Sequence, residues 1–191
     1  MLNRCLIRVA LVILFFGFNF PATASVASCS VREHVYDRYL SRFKFLKDCV
    51  IDAAEKYNVP EWALLVVLKQ ENGPINGYLT NNDGTKDYGP TCINDLRFKD
   101  FQRDGFEHVT PELIMENPCA AMIVTAYLLQ KEWLLEKQRT NSTPEWQTVI
   151  ANYHYNYRGN YPARHDKYKN EIREKLELFA RNAPSCDTIK Q

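Results

Sequence analysis

The spacing of apolar residues along the chain predicts a mainly α-helical protein. Apolar positions three and four residues apart form one stripe on a helix over about residues 31–57, since this spacing brings side chains to a single helix face. Pro60 then opens a second helix, because proline is favoured in the first turn. The stripe of that helix consists of Leu64, Val67, Leu68 and Glu71. A carboxylate therefore occupies one position of a face that is otherwise apolar.

The residues after Glu71 change in character. From about residue 72 to residue 94 the chain is rich in glycine, proline, asparagine and aspartate, which predicts a long structured loop or a small β-hairpin. Helix-start signals then return. Thr110-Pro111 and Asn117-Pro118 each combine a capping side chain with a first-turn proline. A capping-box pattern at 142–145 and an apolar stripe over about 162–180 predict two further helices.

The first 24 residues have the pattern of a secretory signal peptide. Arg4 and Arg8 precede a 12-residue apolar run over Val9–Phe20, and small residues follow up to Ala24. A retained membrane anchor is the alternative, but the run is shorter than the ~20 residues of a spanning helix. We therefore expect cleavage near Ala24, export to the periplasm, and a mature domain over 25–191 without a transmembrane helix. Lipidation of Cys29 is a second alternative.

Composition narrows the possible functions. The chain has 191 residues, of which 46% are hydrophobic, with 24 Lys and Arg against 23 Asp and Glu. This is too apolar for a disordered protein and lacks the basic excess of nucleic-acid-binding domains. The four histidines are scattered and no Cys-x-x-Cys occurs, so we expect no metal site.

The cysteines become informative if the chain is exported, because oxidising compartments permit disulfides. Five cysteines remain after cleavage, and an odd number leaves at least one unpaired, lipidated or intermolecular. Their spacing leaves the connectivity open. They are Cys29, Cys49, Cys92, Cys119 and Cys186.

Glu71 is the main candidate for chemistry. Burial of a carboxyl group favours its protonated form, which is what a general acid requires. The structural alternative is a helix-terminal glutamate whose head group reaches solvent or pairs with a lysine such as Lys69.

Five segments around Glu71 resemble a known family when they are taken together and in order. They are Cys49–Pro60, Lys69–Gly73, Asp83–Asn94, Asn117–Cys119 and Ala151–His154. They are similar to the lytic transglycosylases of the soluble-lytic type, and most closely to the small secretion- and conjugation-associated members. The resemblance covers about residues 46–161. It implies a lysozyme-like, mainly α-helical α+β fold with a core over about residues 46–161, followed by a C-terminal helix over about 162–180.

The resemblance also implies an activity that needs no cofactor. Glu71 would protonate the glycosidic oxygen between N-acetylmuramic acid and N-acetylglucosamine, then deprotonate the sugar's 6-hydroxyl to close a 1,6-anhydro ring. The implied partners are peptidoglycan strands and components of a secretion, conjugation or pilus apparatus. Because most glycosidases use two carboxylates, one alternative is a hydrolytic muramidase with Asp83 or Asp87 as the second. A catalytically inactive peptidoglycan-binding scaffold is another.

The remaining site residues follow from the same resemblance. Tyr153 would contact the sugar near the scissile bond, and Tyr78 and Tyr88 are possible stacking faces, although aromatic rings are also buried for their apolar area alone. The aligned substrate-contact positions hold Asn72, Cys92 and Asn94.

Three positions in the resembling segments depart from the family pattern. Cys92 replaces a glutamine, Asn72 replaces a serine and His154 replaces an asparagine. A thiol cannot reproduce the donor and acceptor set of an amide, so these departures indicate altered substrate contacts or reduced activity.

The resemblance implies two disulfides. Cys49 would pair with Cys119, and Cys29 with Cys186, which leaves Cys92 free in the groove.

Overall fold

The computed structural model describes residues 28–154 and 161–181, with side chains from residue 32 onward. These ranges contain eight α-helices, a 3-10 helix and three short strands. The helices are α1 (Ser28–Tyr39), the 3-10 helix (Ser41–Leu46), α2 (Lys47–Tyr57), α3 (Glu61–Glu71), α4 (Leu96–Arg103), α5 (Pro111–Glu116), α6 (Pro118–Thr140), α7 (Trp146–His154) and α8 (Pro162–Ala180). The strands are β1 (Tyr78–Thr80), β2 (Lys86–Tyr88) and β3 (Ile93–Asn94). The prediction of a mainly α-helical α+β fold is confirmed.

Helix α3 is the central element of the core. Every residue from Ala63 to Leu68 is at most 4% exposed, and the helix contacts α2, α6, α7 and α8. A helix that is apolar on all sides is stable only when other elements enclose it. It ends because Asn72 adopts a left-handed conformation with φ 45°, which is a common way to terminate a helix. This termination places Glu71 at the end of a helix whose central residues, Ala63 to Leu68, are all enclosed.

Helix α6 is tied covalently to α2. Cys49 and Cys119 form a disulfide with a Cα–Cα distance of 5.2 Å, which confirms the expected pairing. The bridge joins residues 70 positions apart. It lowers the conformational entropy of the unfolded chain, which in the chain-entropy account stabilises the folded state by about 4 kcal/mol. Cys92 is a free cysteine in the described part of the chain. The expected pair of Cys29 with Cys186 lies outside the described side chains.

The predicted helix starts after the loop are also confirmed. The side chain of Thr110 accepts a hydrogen bond from the amide of Leu113 at 3.2 Å, and that of Asn117 accepts one from Ala120 at 3.1 Å. A proline follows each cap in the first turn. Capping side chains satisfy amides that have no partner within the helix, so these short motifs determine where α5 and α6 begin.

The predicted loop or hairpin over 72–94 is a three-stranded antiparallel sheet in the order β1-β2-β3. Tyr78 is opposite Tyr88 in the first pair, and Asp87 is opposite Asn94 in the second. The third strand was not predicted, because its two residues are too few to show an alternating pattern.

The predicted helix over 31–57 is wrong in one respect, since it consists of α1, the 3-10 helix and α2. Leu40, Phe43 and Leu46 are all buried. Their spacing of three residues suits a 3-10 helix, in which side chains at i and i+3 lie on one side. The same spacing also fits an α-helical stripe, which is why the sequence alone does not show the break. Helix α4 was not predicted, because only Phe98 and Phe101 are buried in its charged sequence.

Within the described residues, none of the helices is long and apolar enough to cross a membrane. The predicted signal peptide falls on residues outside the described part, and the side chain of Cys29, the alternative site of lipidation, is not among the described side chains.

Candidate active site

Three helices meet at the carboxylate of Glu71, whose side chain is 8% exposed. Its Oε1 accepts a hydrogen bond from the hydroxyl of Tyr168 in α8. Nδ1 of His154, the last residue of α7, lies 3.3 Å from the same oxygen. Oε2 has no hydrogen-bond partner within the part of the chain that the structure describes. One oxygen is therefore held in place, and the other is available to a ligand.

Tyr168 and His154 also support each other. Their rings stack with centroids 4.3 Å apart and an angle of 7° between the ring planes. Burial, followed by the negative charge of Glu71, raises the pKa of Tyr168 well above its usual value. The tyrosine therefore stays neutral and acts as the donor to Glu71.

Glu71 lines an open cleft of about 520 Å³, a volume typical of small-ligand sites. The walls come from the sheet, α4, α6, α7 and α8. They are formed by Glu71, Asn81, Asp83, Thr85, Asp87, Cys92, Ile93, Asn94, Leu96, Arg97, Asp100, Leu128, Tyr153, His154 and Arg164. Carboxylates, amides and cations outnumber apolar side chains in this set, which suits a ligand with many hydroxyl and amide groups.

A tight turn at residues 89–92 is held against the chain leaving α3. The amide of Gly73 donates to the carbonyl of Pro90 at 3.1 Å, and the thiol of Cys92 lies 3.8 Å from the carbonyl oxygen of Glu71. Cys92 has φ 53°, a left-handed conformation that is uncommon for residues with a side chain. Burial raises its pKa to about 12, so the thiol keeps its proton and is not a nucleophile at neutral pH.

Tyr153 lines the cleft, but its hydroxyl is used for structure. It donates to the carbonyl of Thr91 at 2.7 Å, and Thr91 in turn accepts from Thr125 at 2.8 Å. Burial raises the pKa of Tyr153. The carbonyl of Tyr153 accepts from Arg97 at 3.0 Å. Tyr153 thus connects α7 to the turn beside Glu71 and presents little of its own surface to a ligand.

Asp83 and Asp87 both line the cleft, and both serve the hairpin. Asp83 accepts hydrogen bonds from the amide and hydroxyl of Thr85 at 3.0 and 2.7 Å, and these bonds lower its pKa. Asp87 accepts from Asn81 at 2.9 Å and from Asn94 at 2.8 Å. The bonds of Asp83 are the local bonds expected of an aspartate in a turn, whereas Asp87 lies in β2 and accepts bonds from across the sheet. Among the described residues, neither carboxylate forms an ion pair with a cation.

The structure does not bring Tyr78, Tyr88 and Asn72 to the described walls of the cleft. Tyr88 is 8% exposed and packs edge-on against Phe98 with ring centroids 5.5 Å apart. Tyr78 is half-exposed and has the ammonium of Lys86 over its ring at 4.3 Å. The side chain of Asn72 accepts from the guanidinium of Arg42. Tyr88 is therefore a core residue, and Asn72 serves to end α3.

Sequence reasoning missed the contacts of His154 and Tyr168 with Glu71 and the position of Arg164 in the cleft wall. Tyr168 was assigned to an apolar stripe of the last helix, and nothing local indicates that it meets a residue 97 positions away. His154 did carry a signal, because it is a titratable residue next to Tyr153 at a position where the resembling family has asparagine. Across the described residues, no group of three His, Cys, Asp or Glu side chains is arranged to hold a metal ion.

Fold and site together define a small, mainly α-helical protein with one enclosed glutamate in a polar cleft. The chain is similar to Protein IpgF of Shigella sonnei, with 32% identity over 104 residues that cover 48% of this chain and 66% of that protein. It is similar to Protein IpgF of Shigella flexneri to nearly the same extent, with 31% identity over 103 residues and the same coverage. The chain is thus homologous to the IpgF proteins over about half its length and spans just under two thirds of theirs. No protein-family model matches the chain, and no solved structure matches it.

Proposed function

We propose that this chain is a peptidoglycan lytic transglycosylase that cleaves the bond between N-acetylmuramic acid and N-acetylglucosamine and forms 1,6-anhydro-muramic acid. The observation that carries the proposal is the carboxylate of Glu71, which is 8% exposed at the end of a buried helix, accepts a hydrogen bond from Tyr168 and lines a polar cleft. A carboxyl group in such an environment is suited to give and take a proton in turn.

The proposed reaction has two steps on one carboxyl group. Protonated Glu71 gives its proton to the glycosidic oxygen, and the bond between that oxygen and C1 of the muramic acid breaks. The carboxylate then takes the proton of the 6-hydroxyl of the same sugar while O6 bonds to C1. Glu71 regains its proton and no water is consumed. We assign the transfers to Oε2, because Oε1 is held by Tyr168.

The rest of the cleft supports a glycan ligand. Asn81 and Asp100 offer hydrogen-bonding groups for hydroxyls and acetamides, and Leu96 and Leu128 offer apolar surface for sugar rings. The enclosed position of Tyr153 behind the turn assigns it to holding the site rather than to direct stacking.

The location and partners belong to the same proposal. The Cys49–Cys119 disulfide is typical of oxidising compartments and supports a periplasmic protein. The resemblance to secretion- and conjugation-associated transglycosylases supports local wall remodelling at a secretion, conjugation or pilus apparatus.

The test is mass spectrometry of soluble products released from peptidoglycan sacculi. The full chain, expressed with its N-terminal segment and purified after export, is compared with Glu71→Gln, whose fold is checked by circular dichroism. We expect products that end in 1,6-anhydro-muramic acid from the natural chain and none from the variant.

Two other results would replace the proposal. Products heavier by one water mean hydrolysis, and Asp83→Asn and Asp87→Asn would then identify the second carboxylate, since both line the cleft. Binding to sacculi without any release of fragments means an inactive scaffold.

A further inference from the structure

We propose that a groove lined by Trp133 and Trp146 is a second binding site, which takes an uncharged N-acetylated oligosaccharide. The identity of the glycan rests on the proposed function, and the inference adds a site that holds the cell wall away from the catalytic cleft. It follows from two indole rings and three neutral hydrogen-bonding side chains that line one uncharged groove.

This tryptophan groove lies at the ends of α3 and α7 that are remote from Glu71. Pro60, the N-cap of α3, and Trp146, the first residue of α7, line the groove. At the other ends of the same two helices, Glu71 and Tyr153 line the cleft. Helix α3 has 11 residues, which separates its ends by roughly 16 Å at 1.5 Å per residue. The groove and the cleft share no lining residue, so the groove is a separate cavity.

Two tryptophans and a leucine supply apolar surface in the groove, whose volume is about 630 Å³. The indoles of Trp133 and Trp146 are half-buried, and the side chain of Leu134 beside them is 49% exposed. The ammonium of Lys137 lies 4.9 Å from the centroid of the Trp133 ring and belongs to no lining side chain of the groove. The C–H groups on one face of a pyranose form a flat apolar surface, which can pack on an indole.

Three neutral polar side chains line the same groove. Asn58 follows the last residue of α2, Gln130 lies in α6 and Thr143 precedes α7. Within the described residues, none of these side chains has a hydrogen-bond partner, and those of Asn58 and Thr143 are exposed. Amides and hydroxyls both donate and accept hydrogen bonds. The three side chains are therefore free to bind the hydroxyl and acetamide groups of a sugar, which do the same.

The absence of charge selects the occupant. The described lining of the tryptophan groove contains no charged side chain, whereas carboxylates and guanidinium groups line the cleft. A charged partner would lose hydration in the groove without gaining an ion pair. An apolar protein segment would cover the three polar side chains without giving them partners, which is unfavourable. A sugar satisfies both parts of the groove, since its ring has an apolar face and a rim of hydroxyls. N-acetylglucosamine is such a sugar and is uncharged, so we assign the groove to the N-acetylglucosamine residues of a peptidoglycan strand.

A second site on the same polymer changes how the protein stays on the wall. When one site releases the glycan, the other site keeps the protein close to it, which raises the effective concentration for rebinding. The tryptophan groove therefore retains the protein on the sacculus between cleavage events.

The first test locates the glycan by NMR. The Glu71→Gln chain is labelled with ¹⁵N, and the indole N–H signals of its three tryptophans are assigned by through-bond experiments. The probe is the hexasaccharide of N-acetylglucosamine, with an uncharged proline-rich peptide titrated in parallel. We expect the oligosaccharide to shift the signals of Trp133 and Trp146 saturably and to leave that of Trp62, which is 37% exposed and outside the groove lining, in place. No shift of the two signals, equal shifts of all three, or shifts with the peptide instead would overturn the proposal.

The second test measures binding to sacculi by co-sedimentation, with every variant made in the Glu71→Gln chain so that the wall stays intact. We expect Trp133→Ala to weaken binding about tenfold, the upper end for one aromatic contact, and Gln130→Ala about threefold, as for one hydrogen bond. Gln130 is a polar residue of the groove lining, so its variant decides the outcome if Trp133→Ala unfolds. The matched control is Trp62→Ala, which should bind like the parent chain.

The results separate this inference from the proposed function. Parent-like binding by Gln130→Ala and by folded Trp133→Ala would overturn the second site, even if the natural chain releases anhydro products. Weakened binding in these variants, together with no release of products by the natural chain, would support the second site and refute the proposed function instead.

Discussion

Gly73 leaves no room for a methyl group at the point where the chain leaves α3. A Cβ at this position would lie 2.3 Å from the carbonyl oxygen of Gly89 and 2.8 Å from the sulfur of Cys92. Both neighbours belong to the turn that forms one wall beside Glu71. We therefore predict that Gly73→Ala displaces this turn and damages both stability and activity.

The size of the effect follows from the contacts. The carbonyl of Gly89 is backbone and must move by roughly 1 Å to restore an ordinary contact, and overpacking of this kind costs typically about 1 to 3 kcal/mol. The 3.1 Å hydrogen bond from Gly73 to Pro90 is stretched by the same movement, which adds about 1 kcal/mol. We expect a loss of about 2 to 4 kcal/mol in the free energy of unfolding. A displacement of about 1 Å beside a reacting group can also lower the rate about 100-fold.

Urea unfolding and product release from sacculi measure the two effects. Gly84→Ala is the matched control, because Gly84 has φ 85° and nothing within 4 Å of its added Cβ. The Gly84→Ala variant should have a free energy of unfolding about 1 kcal/mol lower, because alanine is strained in the left-handed conformation, and it should keep the activity of the natural chain. A free energy of unfolding for Gly73→Ala within about 0.5 kcal/mol of that of the natural chain would be typical of a surface substitution. That result would show that the contact between the end of α3 and the turn is not as tight as the structure indicates.

Two further predictions concern the residues that surround Glu71. Tyr168→Phe removes the hydroxyl that donates to Glu71 and should lower the free energy of unfolding by about 2 kcal/mol, the cost of leaving a buried acceptor without its donor. Tyr161→Phe, at an exposed tyrosine, should change the free energy of unfolding little, and equal losses in the two variants would contradict the reasoning. His165 is buried and its Nε2 lies 2.8 Å from the side-chain oxygen of Asn152, and burial lowers its pKa from the usual 6.5. His165 therefore binds a proton more readily in the unfolded chain than in the folded chain. Its contribution to the free energy of unfolding is complete above pH 6.5 and is lost as the pH falls below that value. The urea midpoint should decrease more between pH 7 and pH 5 in the natural chain than in His165→Gln, and parallel decreases would show that His165 does not contribute.

Local sequence determined much of the helical framework. Thr110 and Asn117 cap α5 and α6 as predicted, because a capping side chain and a first-turn proline act on amides only two or three residues away. The predicted C-terminal helix corresponds to α8. The spacing of Leu64, Val67, Leu68 and Glu71 predicted a helix with one apolar face that carries a carboxylate. Helix α3 has this face, and the structure adds that the residues between Ala63 and Leu68 are buried on every side. The pairing of Cys49 with Cys119 came from the family resemblance rather than from spacing.

The arrangement around Glu71 depended on tertiary structure. Tyr168 and His154 reach its carboxylate only because α7 and α8 pack against α3 and against each other. Tyr88 enters the core while the neighbouring Asp87 lines the cleft, because successive strand residues point to opposite faces. Capping and periodicity are signals of a few residues. The contacts that hold Glu71 join residues up to 97 positions apart, and the burial of apolar surface that brings them together is a property of the whole fold.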